Sequence, residues 1–162
     1  MTPRGGFTLM EMVVVLAIIA ILATLAVPSY LNRIVREEIV AAVPLADIAK
    51  APLALAWAAT QAFPSDNAGA GLPAAEKIVN NYISSVAVSE GAIQITFGNN
   101  VNGAIRGKIL TLRPAVVEDA PIVPVAWICG NANAPDQMAV KGENRTNIPV
   151  SYLPFNCQGP GR

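Results

Sequence analysis

One carboxylate sits where a stray charge is costly. Glu11 stands at the start of an apolar run in which no residue from 12 to 31 is charged. As helix, at 1.5 Å per residue, such a run measures about 30 Å, the thickness of a bilayer's hydrocarbon core. A carboxylate inside a spanning helix costs about 2.5–3.5 kcal/mol on insertion scales, so it calls for a partner. The chemistry on offer is an ion pair with an amine. Arg4, Gly5 and Gly6 precede Phe7. A cut after Gly6 would remove the basic start and create an α-amino group on Phe7, four residues from Glu11. A neighbouring copy, shifted along the helix axis, would bring that amine to Glu11 and set a register between identical helices. An ordinary signal peptide has its small residues after the apolar core. Here they come before it, so the apolar segment stays as an anchor or a building element.

The other reactive residue types point away from catalysis. There is no histidine, which removes His-based triads, general bases and metal sites together. No nucleophile stands beside a base in a recognisable motif, so no catalytic residue and no cofactor are expected. Asp47, Asp66, Glu118, Asp119, Asp136 and Glu143 are scattered without the spacing of a calcium loop, and no metal is expected. Asn144, Arg145 and Thr146 match a glycosylation triplet of a kind that chance supplies often. Lys plus Arg and Asp plus Glu both number 11, so the net charge is zero and nucleic acid is not indicated. Two cysteines, Cys129 and Cys157, behind a membrane-targeting start fit one disulfide formed outside the cytosol. Two buried thiols are the alternative, and the spacing is far from a Cys-x-x-Cys redox pair.

These residues need elements to hold them. The 162 residues are 53% hydrophobic and only 14% charged, against about 25% charged in a typical soluble domain, which points to assembly. Leu31, Val35, Ile39 and Val43 form a helical stripe, with Arg33, Arg36, Glu37 and Glu38 as a solvated face. Leu45, Ile48, Pro52, Leu55 and Ala59 form a second stripe whose phase shifts at Pro44. The pattern predicts one long helix over 7–62, bent at Pro28 and Pro44, ending near Phe63 and Pro64. A loop over 64–73 and a short helical turn over 73–80 follow. Strands are predicted at 82–88, 92–97, 108–113 and 123–129, with turns at 89–91 and 99–103. The stretch between the cysteines reads as poor in regular structure. The fold class is α+β, a long bent N-terminal helix packed on a four-stranded antiparallel sheet.

The run Arg4-Gly5-Gly6-Phe7-Thr8-Leu9-Met10-Glu11-Met12 resembles the processing site of type IV prepilins. In that family a short basic leader ends in Gly, Phe follows, then Thr-Leu, and Glu stands fifth in the mature chain. Pro28 and Tyr30, the first hairpin over 82–97, and Trp127-Ile128-Cys129-Gly130 ahead of a cysteine-bounded loop carry the resemblance further. It implies cleavage between Gly6 and Phe7 by a membrane-embedded prepilin peptidase and N-methylation of Phe7. It implies an assembly salt bridge between Glu11 and the Phe7 amine of a neighbour. It also implies a Cys129–Cys157 disulfide bounding an exposed loop, within the type IV pilin fold.

The resulting organisation is a leader at 1–6, a transmembrane and filament-core helix half at 7–31, and a globular head at 32–162. The implied function is a structural subunit of a type IV pilus, of the type IVa major class, used for adhesion, twitching motility or DNA uptake. The implied partners are further copies in a helical homopolymer, the peptidase, an inner-membrane assembly platform, and a host or abiotic surface. The implied location is the inner membrane of a Gram-negative-type bacterium, then an extracellular pilus. A minor pilin or a type II secretion pseudopilin is the same-class alternative. A membrane-anchored periplasmic binding protein or enzyme is the alternative from another class.

Overall fold

The apolar run forms helix, as its length requires. A computed structural model describes residues 6–160, with side chains throughout except at 27–29. Of the expected leader only Gly6 falls inside this range. The side chain of Pro28, and with it the bend expected there, lies outside the described residues. Helix α1 (Leu9–Ala42) leads into a 3-10 turn at Val43–Ala46 and then α2 (Asp47–Thr60). The chain divides into two compact units, the first ending at Ile34 and the second beginning at Val35. In the first unit every described side chain over 9–26 is exposed. A helix apolar on all faces is at rest only in lipid or among other helices.

In the second unit one helical face is buried: Val35, Ile39, Ala42, Ala46, Ala49, Leu53 and Trp57. The steps of three and four run through Pro44 unbroken, so the expected phase shift is absent. Pro44 sits at the first positions of the 3-10 turn, where its missing N–H leaves no ladder bond unmade. Of the second stripe expected from sequence, Leu45 packs against the core at its edge, while Ile48, Leu55 and Ala59 face outward, with Leu55 70% and Ile48 50% exposed. The cause is size. Ala42, Ala46 and Ala49 occupy the core face, whereas reading the larger apolar residues as core picks the opposite side. α2 ends when Gln61 turns left-handed (φ 53°) and donates its N–H to the Trp57 carbonyl at 2.8 Å.

The sheet order is β1 (Ile83–Ser89), β2 (Ala92–Phe97), β3 (Ile109–Val116) and β4 (Ala126–Cys129), all antiparallel neighbours. The expected meander is present, and a fifth short strand, β5 (Ala139–Val140), adds to β3. Glu90 (φ 49°) and Gly91 (φ 83°) make the two-residue turn between β1 and β2, the left-handed pair that matches strand twist. A Cβ on Gly91 would also lie 2.5 Å from the Phe63 ring. The helix stripe shares one core with Ile83, Val86, Ile95, Phe97, Leu110 and Leu112.

Two details depart from the sequence reading. β3 runs through Pro114 rather than ending before it. Pro114 faces the side where β2 has already ended, and its carbonyl accepts the Lys141 N–H at 2.9 Å, so the absent proline N–H breaks no pairing. In the 64–73 loop, Asn67 is buried and acts as a peptide unit against the free edge of β1. It donates Nδ2–H to the Val86 carbonyl at 3.0 Å and accepts the Val88 N–H at 2.6 Å.

Candidate functional site

At the start of α1 the structure places Thr8 and Glu11 in a reciprocal cap. The Thr8 N–H and hydroxyl both donate to Glu11 Oε2, at 2.8 and 3.0 Å, and the Glu11 N–H donates to Thr8 Oγ1 at 3.2 Å. This is a capping box, which satisfies donors that the first helical turn leaves open and sets a carboxylate at the positive end of the helix dipole. Phe7, directly before the box, is 81% exposed, and Gly6 is exposed beside it. In the single chain the partner of Glu11 is therefore Thr8. The pair with a Phe7 amine would involve a second copy. The role of Thr8 was readable, since Thr-x-x-Glu ahead of an apolar run is the sequence signature of this cap.

The second region is the segment between Cys129 and Cys157, whose sulfurs are bonded. It is far from structureless. Along β3, β2 and β4 leave two stretches unpaired, and this segment fills both. β5 pairs Ala115 and Val116 on the β2 side. On the β4 side, Asn147 accepts the Ile109 N–H through Oδ1 at 2.6 Å and donates its own N–H to the Ile109 carbonyl at 3.1 Å. Thr146 Oγ1 accepts the Thr111 N–H at 3.0 Å. Side chains substitute here for a strand's backbone, a pattern that periodicity does not encode. Asn144 donates Nδ2–H to Asn131 Oδ1 at 3.0 Å, so the glycosylation triplet serves the loop's own fold.

The helical charges expected as a solvated face include two long-range tethers. Arg36 Nε and Nη2 donate to the carbonyls of Leu153 and Ser151, at 3.1 and 3.0 Å, and its guanidinium lies 4.5 Å from the Phe155 ring centroid. Glu38 Oε2 accepts the Asn102 N–H at 2.9 Å. Of the scattered carboxylates, Asp47 pairs with Lys50 at 2.7 Å and Glu143 with Arg145 at 2.8 Å. Asp66 accepts the Gly69 N–H at 2.7 Å. Glu118 pairs with Lys141, whose hydrogen bond and then charge hold its carboxyl below the usual carboxylate range.

Comparison with known proteins follows the same two regions. Residues 35–158 match the family described as Pilin (bacterial filament), and residues 1–27 match a prokaryotic N-terminal methylation motif. The chain is 33% identical to a fimbrial protein of Neisseria meningitidis serogroup A, over 97% of this chain and 95% of that one. It is 32% identical to the type IV major pilin protein PilE of Neisseria gonorrhoeae, with the same coverage of 97% and 95%. A fimbrial protein of Moraxella nonliquefaciens is 47% identical over 47 residues, 29% of this chain and 30% of that one.

Proposed function

Given that this chain belongs to the type IV pilin family and is a structural subunit of a pilus rather than an enzyme, we propose the following route from prepilin to filament. A prepilin peptidase cuts between Gly6 and Phe7 and methylates the new amine. The mature chain, 7–162, waits in the inner membrane of a Gram-negative-type cell with α1 as its anchor over 7–31 and its head outside. An inner-membrane platform then adds it to a growing polymer of identical copies, as a major subunit.

The observation that carries this reading is a helical segment, 9–26, exposed on every face, with its one carboxylate already held by Thr8. In lipid the capping box shields Glu11 from the full cost of desolvation. On addition, the Phe7 amine of a neighbour meets the same carboxylate and forms a charge-assisted bond, roughly twice as strong as a neutral one. Thr8 thus holds the acid until the amine arrives. Helix–helix contacts replace lipid contacts at little net hydrophobic cost, so the polar pair fixes the axial step. The heads form the outer surface, where contacts for adhesion, twitching motility or DNA uptake are made.

Intact-mass spectrometry of filaments sheared from cells tests the processing step. The expected species begins at Phe7 and carries one added methyl group. A species beginning at Met1 in the filament fraction would overturn the reading.

A further inference from the structure

The turn between β2 and β3 holds the chain's one Asn-Gly pair, Asn102 and Gly103. An asparagine side-chain amide is a weak acyl donor, and the main-chain nitrogen of the next residue is the nucleophile nearest to it. Folding decides whether that nitrogen is free to attack. After Asn81, Asn99, Asn100, Asn131, Asn144 and Asn156 it is not, because the following N–H already donates to an acceptor in the fold. Asn67, Asn80 and Asn147 have their side chains held by strand residues. Where neither restraint applies, as at Asn133, the next residue is alanine, and its Cβ crowds the attack. At Gly103 the N–H has no acceptor among the described residues, the residue is exposed, and it has no Cβ. The Asn102 Oδ1 accepts the Ala104 N–H at 2.9 Å, a bond that draws electrons from Cγ as a donor does at any carbonyl under attack.

We propose that Asn102–Gly103 is a self-modification site, whose conversion to aspartate or isoaspartate releases the turn from α1. The Gly103 nitrogen gives its proton to hydroxide and bonds to Cγ of Asn102. The Cγ–Nδ2 bond breaks, and ammonia leaves with a proton from water, which closes a cyclic imide and restores the hydroxide. Water then opens the imide. Breaking the new N–Cγ bond leaves aspartate. Breaking the original main-chain bond leaves isoaspartate, whose chain runs through Cβ and Cγ and is longer by an atom. Both products act on the same tether. The Asn102 N–H donates to Glu38 Oε2 at 2.9 Å in half-buried surroundings. Aspartate sets a second carboxylate beside that of Glu38, where like charges oppose. Arg106, the turn's own charged residue, already donates to the Val101 carbonyl at 3.3 Å. Isoaspartate lengthens the chain between Val101 and Ile105, which are 2% and 0% exposed, so the added atom must bulge outward at 102. The proposal goes beyond the filament role and is independent of the route by which a subunit is added.

Peptide mapping by mass spectrometry tests it on the solubilised full chain, incubated for days in mildly alkaline buffer. Replacement of the amide by a carboxyl should appear at 102 about tenfold faster than at any other asparagine, the gap that a modest difference in barrier gives. Gly103→Ala is the control. Its Cβ would meet nothing within 4 Å and the backbone there is not left-handed, so the fold accepts it. It should slow the conversion about tenfold by crowding the attack. Asn102→Asp carries the charge of the product. It should raise hydrogen exchange over 98–107 about tenfold, and Glu38→Gln in the same chain should restore protection. Conversion at 102 no faster than elsewhere, or a rate that Gly103→Ala leaves unchanged, overturns the modification site. Hydrogen exchange that Asn102→Asp leaves unaltered, or a rise that Glu38→Gln does not reverse, overturns the release of the tether.

Discussion

The two units meet the same demand, burial of apolar surface, in opposite ways. The head buries Ile39, Leu53, Phe97 and Leu110 among its own strands and helix. The segment over 9–26 buries nothing and has its one carboxylate held locally by Thr8. The head is therefore complete as a single chain, and the segment over 9–26 is complete only in the company of lipid or of other copies. A substitution in the first region should show in assembly and leave the head folded. A substitution in the second should show in unfolding and leave membrane insertion intact.

The sharpest break of that contrast is Glu11→Ala. We expect normal membrane insertion and a loss of filament greater than about tenfold, since each added subunit forfeits a charge-assisted bond worth ~1.5–3 kcal/mol. Immunoblots of sheared and membrane fractions read both quantities. Filament at the level of the unaltered chain would remove the pairing role. Thr8→Val sharpens the point, because it removes the hydroxyl and spares the carboxylate. It should slow assembly less than Glu11→Ala does.

In the head the largest effect should come from the disulfide. The bond closes a loop with a sequence separation of 28. On the chain-entropy account, Cys129→Ser with Cys157→Ser costs about 3–4 kcal/mol. Denaturant midpoints of the solubilised mature chain, followed by tryptophan fluorescence, would measure it. An unchanged midpoint would mean that the β3 pairings hold the segment without the bond. Arg36→Met comes next. It removes two bonds from a charged donor to the Ser151 and Leu153 carbonyls, of which Leu153 keeps only the Gln158 amide at 2.7 Å, a loss of about 1.5–3 kcal/mol. Hydrogen exchange should rise over 150–157 ahead of the strands. A uniform rise across the head would show instead that Arg36 supports the whole core.

The same contrast explains what could be read in advance. The helix start depends on spacing along one segment, so the Thr8–Glu11 cap and the methylation motif over 1–27 were legible from order alone. β1 was legible because it is β-branched and bounded by a turn, and β2 because its residue types alternate. Features that arise from distant segments meeting were not. Ala42, Ala46 and Ala49 are core because the helix lies close to the sheet, which residue size does not announce. Pro114 is tolerated because β2 stops short, a fact about another strand. Asn67, Thr146 and Asn147 act as substitute backbone.

The smallest expected effect concerns the Glu118–Lys141 pair, which joins the β3–β4 loop to the end of β5. Lys141 lowers the folded-state pKa of Glu118 below its unfolded value, chiefly by its hydrogen bond and then by its charge. The sign follows from linkage. The stabilisation is fully present above the unfolded pKa of about 4.3 and disappears as pH falls through the lower folded value. Glu118→Gln should therefore lower the denaturant midpoint slightly at pH 7 and leave it unchanged in strong acid. The carboxylate is 61% exposed, so salt should shrink the pH 7 difference. A difference that persisted in acid would assign the effect of Glu118 to packing of the loop rather than to its charge. Its absence at every pH would make the pair a surface contact of no energetic weight, with β5 held by its β3 ladder alone.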